Sequence, residues 1–334
     1  MQYKNLGKTG VKVSQLCFGT MSFGGDADEE TSRAMFNRCL DVGINFFDCA
    51  NVYQKGIAEE ILGRCIKGIR KDLVITSKFY FPMGDQPNDR GASRKHIIRA
   101  IEDTLNRLDT DYLDLYFIHR FDDDTPLEET LNTLDDLVHT GMILYPAVSN
   151  FAAWQIAKAL GISALHDWAR FECIQPMYNL LKRQAEVEIL PLAVSENMGV
   201  ISYSPLGGGF LSGKYSSAKW PEKGRLVSNA MYSTRYGADW MVNTVDGFLE
   251  KAQEMGVHPA TLAVAWAGSH PAITAPIIGA RNVEQLEASL AAADLNLTPE
   301  QREEISAVSP HPGFATDRNE EGTGFNYAAK LTRK

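Results

Sequence analysis

Asp48, Tyr53, Lys78 and His119 are of the residue types that together place a proton on an oxygen as it becomes an alkoxide. A tyrosine, with a reference pKa of about 10, is a sluggish acid at neutral pH unless something favours its phenolate. A buried Lys78 ammonium nearby would do so, and Asp48 would hold Lys78 charged and oriented. His119 could donate a hydrogen bond to the oxygen on which negative charge develops. Each residue also has a structural alternative: an aspartate before a loop caps, a lysine after a strand is solvated, and a lone histidine is a satisfied core or surface group. His96, His139, His166, His258, His270 and His311 fall in helices or loops and read as structural, whereas His119 ends a run of apolar residues.

The elements that must position these groups are short β-rich runs at 15–19, 44–48, 73–77, 113–118, 143–148, 172–175, 200–203 and 275–278. Most are spaced by roughly 30 to 40 residues, as βα units are. Helical patterns fill the gaps at 29–42, 57–66, 152–160, 183–197, 258–270 and 283–292. Ser93 caps a further series (Ile97, Ile98, Ile101, Leu105, Leu108). Thr125, Pro126 and Glu128 read as a capping box opening the series Leu127, Leu131, Leu134, Leu137 and Val138, which Gly141 stops. Eight strands, none followed by a G-x-G-x-x-G turn, favour a (β/α)8 TIM barrel over an open doubly wound sheet. An N-terminal β-hairpin over 3–13 would plug its bottom. One barrel domain is expected over 1–334, with 310–334 as a coil tail and the long 214–244 connection as a functional loop.

Barrel enzymes build their sites at the carboxyl ends of the strands. Those ends supply Asp48, Lys78, His119, Ser149, Asn150, Gln175, Tyr203 and Ser204, with Tyr53 in the loop after Asp48. Six of the eight strands thus deliver polar side chains to one face. Convergence, not any single residue, is the signal.

Composition narrows the partners. A net charge of −9 with no basic cluster argues against nucleic acid and against a membrane surface. Cys17, Cys39, Cys49, Cys65 and Cys173 form no C-x-x-C pair, which implies reduced thiols, no zinc site and a cytoplasmic setting. The N-terminus carries no apolar leader, and no apolar stretch approaches the roughly 20 residues a span requires. Residues 208–215 nearly spell a phosphate-binding loop, but Tyr215 stands where a magnesium-binding Ser or Thr is needed. The glycines there suit close backbone approach to a pyrophosphate. Asp122, Asp123 and Asp124 read as a solvated loop before Thr125. Met21, Phe79, Tyr80, Phe81, Tyr232 and Tyr236 are candidates for an apolar substrate collar or for simple packing.

The stretches 43–53, 75–78, 113–120, 148–150, 175–179, 202–206 and 278–281 resemble the aldo-keto reductases, and the resemblance covers nearly the whole chain. It implies that Asp48, Tyr53, Lys78 and His119 are the catalytic quartet, with hydride passing from a reduced nicotinamide to a carbonyl carbon and Tyr53 protonating the oxygen. By the same resemblance Ser149, Asn150 and Gln175, with Asp48 close by, would hold the nicotinamide carboxamide and Tyr203 would stack on the ring. Ser204, Leu206, Gly207, Leu211 and Lys214 would line the pyrophosphate, and Gly19, Thr20 and Met21 would approach the ribose. Gly279, Arg281 and Gln285 would meet the adenosine end, Arg281 favouring NADPH (NADP+) over NADH through the 2′-phosphate.

The chain departs from the family pattern at 144–147, Leu-Tyr-Pro-Ala, which allows the fifth strand a different shape, and at Ala288 and Ser289 near the adenosine. Parts of it, at 90–98 and 141–142, also resemble potassium-channel β subunits, in which Asn commonly stands at the position of His119. The implied partner is a small-molecule aldehyde, ketone or sugar. The rival readings are a Schiff-base lyase or isomerase acting through Lys78 and a regulatory subunit that binds the cofactor without turnover.

Overall fold

Side chains alternate between the two faces of a strand, and in this chain that alternation decides both the core and the site. The computed structural model describes residues 1–318, 320 and 323. Strands β3 (Cys17–Gly19), β4 (Phe46–Asp48), β5 (Val74–Phe79), β6 (Leu113–Ile118), β7 (Ile143–Ser149), β8 (Cys173–Gln175), β9 (Gly199–Ser202) and β10 (Ala275–Ile278) close into a barrel in which β10 pairs with both β3 and β9. All neighbours are parallel, with Gly19 opposite Asp48, Asp48 opposite Thr76, Lys78 opposite Phe117 and Ser149 opposite Gln175. The (β/α)8 expectation holds.

Inside the barrel, Cys17, Phe46, Val74, Leu115, Phe117, Ala147, Cys173, Ile201 and Ala275 form one buried apolar cluster. Two residues further along the same strand faces, or four in the case of Val74, lie Gly19, Asp48, Lys78, His119, Ser149, Gln175 and Tyr203. The strands therefore change from apolar packing to polar display without changing face. Strand β1 (Tyr3–Asn5) pairs antiparallel with β2 (Lys12–Ser14) below the barrel, and Leu6 and Val13 join its interior cluster as a plug.

Around the barrel lie α1 (Glu29–Asp41), α2 (Ile57–Ile66), α3 (Arg94–Leu108), α4 (Leu127–His139), α5 (Ala153–His166) and α6 (Ile189–Ser195). They are followed by α7 (Arg225–Ser228), α8 (Ala230–Arg235), α9 (Asp239–Glu254), α10 (Pro259–Gly268), α11 (Val283–Leu290) and α12 (Pro299–Ser306). Ser93 caps α3 as expected, its hydroxyl accepting from His96 N.

The structure corrects several local expectations. Thr125 does not cap α4: its hydroxyl donates to Asp122 Oδ2 at 2.7 Å, and Pro126 occupies the cap position. Asp122 also accepts from the backbone of Ala92 and Asp124, so it staples two loops together and is not merely a solvated residue. The 214–244 connection, expected as a functional loop, contains α7, α8 and the start of α9. The 183–197 helix is broken, with a single 3-10 turn at Gln184–Glu186 before α6. Pro146 sits within an unbroken β7, opposite Tyr116 on β6. Residues 310–318 carry no helix or strand, and most of the remaining tail expected as coil lies outside the described residues.

The plug depends on Gly7, whose φ is +55° and whose missing Cβ would lie 2.4 Å from Gly199 N. Left-handed backbone and a fixed main-chain neighbour leave no room for adjustment. Gly7→Ala is expected to lower unfolding free energy by about 2–4 kcal/mol in urea titration. A change within about 0.5 kcal/mol would mean that the plug does not couple to the barrel.

Candidate active site

Lys78 is fully buried, and each proton of its ammonium has a partner: Asp48 Oδ1 at 2.7 Å, Asp48 Oδ2 at 2.6 Å and Cys49 O at 2.7 Å. Burial is the largest single effect and works against the charge, but Asp48, with Tyr53 and Cys49 adding to it, outweighs burial and Lys78 is held above its ordinary pKa. Asp48 Oδ1 accepts two further bonds, from Thr76 Oγ1 at 2.8 Å and Gln175 Nε2 at 2.9 Å. The carboxylate is thus gripped from β5 and β8. Thr76 was not foreseen, although it lies two residues before Lys78 and so on the same face of β5.

Tyr53 follows β4 by a short excursion. Cys49 N and Asn51 N donate to Thr76 O and Lys78 O, tying the start of the loop to β5. After Tyr53 the chain turns through two successive left-handed residues, Gln54 (φ 49°) and Lys55 (φ 53°). For side-chain-bearing residues this costs roughly 1–2 kcal/mol each, a strain consistent with a positioned functional loop. Beyond the turn, α2 is anchored by buried Glu59, whose carboxylate accepts from Ser77 Oγ at 2.5 Å and Arg107 Nε at 2.6 Å. Ser77 points away from the barrel axis, so β5 serves the loop from one face and the site from the other.

The result places the Lys78 ammonium 5.2 Å from the Tyr53 ring centroid. Burial pushes the Tyr53 phenol up to about 12, while Lys78 pulls it down, chiefly as a charge. The expectation that Lys78 favours the phenolate is right in sign, but burial is the larger effect. His119 lies across from Tyr53, ring centroids 6.1 Å apart, with Phe81 against its other side at 4.8 Å. Burial, and then Lys78, hold His119 well below its ordinary pKa, so it is a neutral imidazole at pH 7. Among the described residues its Nδ1 is buried without a partner, as are both amide atoms of Asn51, between Asp48 and Tyr53 in the chain.

The carboxamide candidates form a connected set. Asn150 Nδ2 donates to His119 O at 2.9 Å and Ser149 Oγ at 3.1 Å, and Tyr203 OH donates to Asn150 Oδ1 at 2.7 Å. Ser149 Oγ in turn donates to Gln175 O at 2.9 Å. Asn150 (φ 59°) and Ser204 (φ 58°) are both left-handed, and Gly207, Gly208 and Gly209 follow with φ of 56°, 69° and 100°. Gly207 N and Gly209 N donate to Ser204 O and Leu206 O, both at 2.9 Å, which among the described residues leaves Gly208 N as the open backbone donor of this turn.

Other candidates are placed less directly. Thr20 is buried with its hydroxyl on Asp48 O at 3.0 Å, and Leu211 is buried in the core, so neither presents a side chain to a ligand. Gly19 is partly exposed, and Met21, Lys214, Gly279 and Gln285 are exposed. Leu206 is half-buried and Gly207 buried. Arg281 forms an ion pair with Asp26 at 3.1 Å, a contact with no local sequence signal. Of the collar candidates, Phe79 is fully buried in the core, Tyr232 and Tyr236 pack on the glycine turn, and Phe81 reaches His119.

Comparisons with known proteins agree with this geometry. Residues 15–310 match the Aldo/keto reductase family. A "Probable voltage-gated potassium channel subunit beta" of Oryza sativa subsp. japonica is 38% identical over 317 residues, 92% of this chain and 96% of its own. An uncharacterized oxidoreductase, YrpG, of Bacillus subtilis (strain 168) is 38% identical over 330 residues, 95% of this chain and 98% of its own. A versiconal hemiacetal acetate reductase of Aspergillus parasiticus is 30% identical over 343 residues, 94% of this chain and 99% of its own.

Removing one partner of a buried ion pair leaves the other uncompensated. Asp48→Asn is expected to cost about 3–5 kcal/mol at pH 7 in urea titration, and Asp48→Asn/Lys78→Met to recover part of that loss. Lys78 has a folded pKa above the ordinary lysine value of 10.5, so its stabilisation is fully present below pH 10.5 and is lost as pH climbs through the folded value. The alkaline loss of stability should therefore shrink in Asp48→Asn. A single variant within about 1 kcal/mol of wild type would contradict the pairing.

Proposed function

Because this chain belongs to the aldo/keto reductase family, we propose that it is an NADPH-dependent reductase of aldehydes or ketones in which Tyr53 is the proton donor. The observation that carries this reading is the fully buried Lys78 ammonium, held by both oxygens of Asp48 directly beneath the Tyr53 ring. A bound reduced nicotinamide supplies the hydride.

The residues fit such a group. Gln175 keeps its amide oxygen and one amide proton and Asn150 keeps a lone pair on Oδ1, Tyr203 offers a ring beside them, and Gly208 N is the backbone donor that the Gly207–Gly209 turn leaves open. Above Gly209 an added Cβ would meet nothing nearer than Ser212 Oγ at 4.0 Å. Arg281, exposed at the head of α11, is the group that would read a 2′-phosphate, in exchange for its contact with Asp26.

The chain's own part is proton and charge management. Tyr53 is protonated throughout the neutral range and stands ready to donate. As its proton moves to the carbonyl oxygen, the phenolate that forms lies beside Lys78, and that stabilisation is realised mainly in the transition state. Neutral His119 can donate a hydrogen bond to the same oxygen without competing as the acid. A Lys78 kept charged by Asp48 is a poor nucleophile, which weighs against Schiff-base chemistry.

A second reading, a channel-associated regulatory subunit, is favoured by the names of relatives at 38% identity. Both are tested by following NADPH and NADH oxidation with aldehydes, ketones, sugars and quinones. Tyr53→Phe is expected to lower kcat at least about 100-fold while NADPH still binds. Unchanged turnover in that variant would overturn the mechanism, and cofactor binding without turnover of any carbonyl by wild type would favour the regulatory subunit.

A further inference from the structure

A group of cations above the glycine turn has no role in the chemistry so far described. Tyr232 and Tyr236 are buried and nearly parallel, with ring centroids 6.5 Å apart and 22° between their planes. They pack on the turn itself: a Cβ on Gly208 would lie 2.7 Å from Tyr232 and 3.3 Å from Tyr236. Arg225 and Arg235 flank the Tyr232 ring at 5.2 and 5.3 Å, and Lys182 Nζ lies 6.0 Å from the Tyr236 centroid.

These three cations differ in what neutralises them. Arg225 has a carboxylate, Asp26 at 3.7 Å, shared with Arg281 on the side of β3 and β10. Lys182 and Arg235 are half-buried, and among the described residues neither side chain forms an ion pair or a hydrogen bond. They lie on the adjacent stacked rings of Tyr236 and Tyr232, and after burial the charge of Arg235 depresses Lys182. Arg235 is also the charge felt by Tyr203, whose hydroxyl holds Asn150. Lys182 N and O bond Asn179, whose amide donates to Ser204 O at 2.9 Å and Tyr236 OH at 3.2 Å. Through Asn179 and Tyr236 the pair is tied to the β8 and β9 strand ends, beside the carboxamide set.

In a chain of net charge −9, two neighbouring cations held by ring faces in place of carboxylates are a repulsive arrangement that an incoming anion relieves. An arginine fork beside a lysine suits a carboxylate or phosphate. We propose that Lys182 and Arg235 bind an anionic group, a carboxylate or a phosphate, carried by the carbonyl substrate. The inference rests on the reductase reading and names the chemistry of its substrate. A dinucleotide pyrophosphate carries similar charge, so the test separates the two sources.

The test uses matched aldehydes: 4-carboxybenzaldehyde against benzaldehyde, and glyceraldehyde 3-phosphate against glyceraldehyde. For wild type, kcat/KM is expected to favour the charged member of at least one pair by about tenfold or more, and Lys182→Gln/Arg235→Gln should abolish that preference mainly through KM. Equal kcat/KM within both pairs for wild type, or an equal loss for both members in the variant, would overturn the inference. So would a variant that keeps the preference but binds NADPH about tenfold more weakly, which assigns the cations to the cofactor. Binding of benzoate against benzamide to the NADP+-saturated protein, read by tryptophan fluorescence, does not depend on turnover. If no aldehyde is reduced, the reductase reading fails alone, and this arm decides: benzoate binding weakened about tenfold in the double variant supports the anion site, and unchanged binding overturns it.

Discussion

The ion pair between Lys78 and Asp48 is the interaction on which the site depends. An ammonium buried in a barrel is tolerable only when every proton has an acceptor and the counter-charge is fixed. Both conditions follow from strand register: Asp48 and Thr76 lie opposite each other on β4 and β5, and Lys78 stands two residues further along the same face. Phe46, Val74 and Phe117 fill the layer below and keep it dry. The anchor of Gln175 Nε2 on Asp48 carries the constraint to β8, and the Asn150 and Tyr203 contacts carry it to β7 and β9. One charge pair thus fixes the orientation of groups from most of the barrel mouth.

The same positive charge distinguishes the two candidate acids. For Tyr53 it opposes burial, lowering the cost of losing a proton. For His119 it acts with burial, so the imidazole stays neutral. Both rings carry a proton at neutral pH, but only the phenol leaves behind an anion that Lys78 stabilises. In the proposed mechanism this asymmetry, and not proximity alone, makes Tyr53 the donor and His119 the hydrogen-bonding partner.

Much of this was legible in the sequence because strands carry information with a period of two. Runs ending in Asp48, Lys78, His119, Ser149, Asn150, Gln175 and Tyr203 declare their inward face by the apolar residues before them, and closure brings those faces together. Thr76 obeys the same rule and could have been found by it. The remainder was hidden for physical reasons. Whether Thr125 caps a helix or bonds Asp122 depends on a loop that packs only in three dimensions. The pairing of Asp26 with Arg281 spans most of the chain and leaves no local pattern. Thr20 and Leu211 match a family position by identity, yet their side chains turn into the core. The net direction of the Tyr53 shift required knowing how deeply the ring is buried as well as what lies beside it.

Stepwise fluorination of the Tyr53 ring tests the central claim most directly, because it increases phenol acidity while nearly preserving shape. With mono-, di- and trifluorotyrosine at position 53, the pH profile of kcat for carbonyl reduction would be measured. If Tyr53 gives up the proton beside Lys78, the alkaline limb must move to lower pH in step with each added fluorine. An alkaline limb that stays in place across the series would contradict the account.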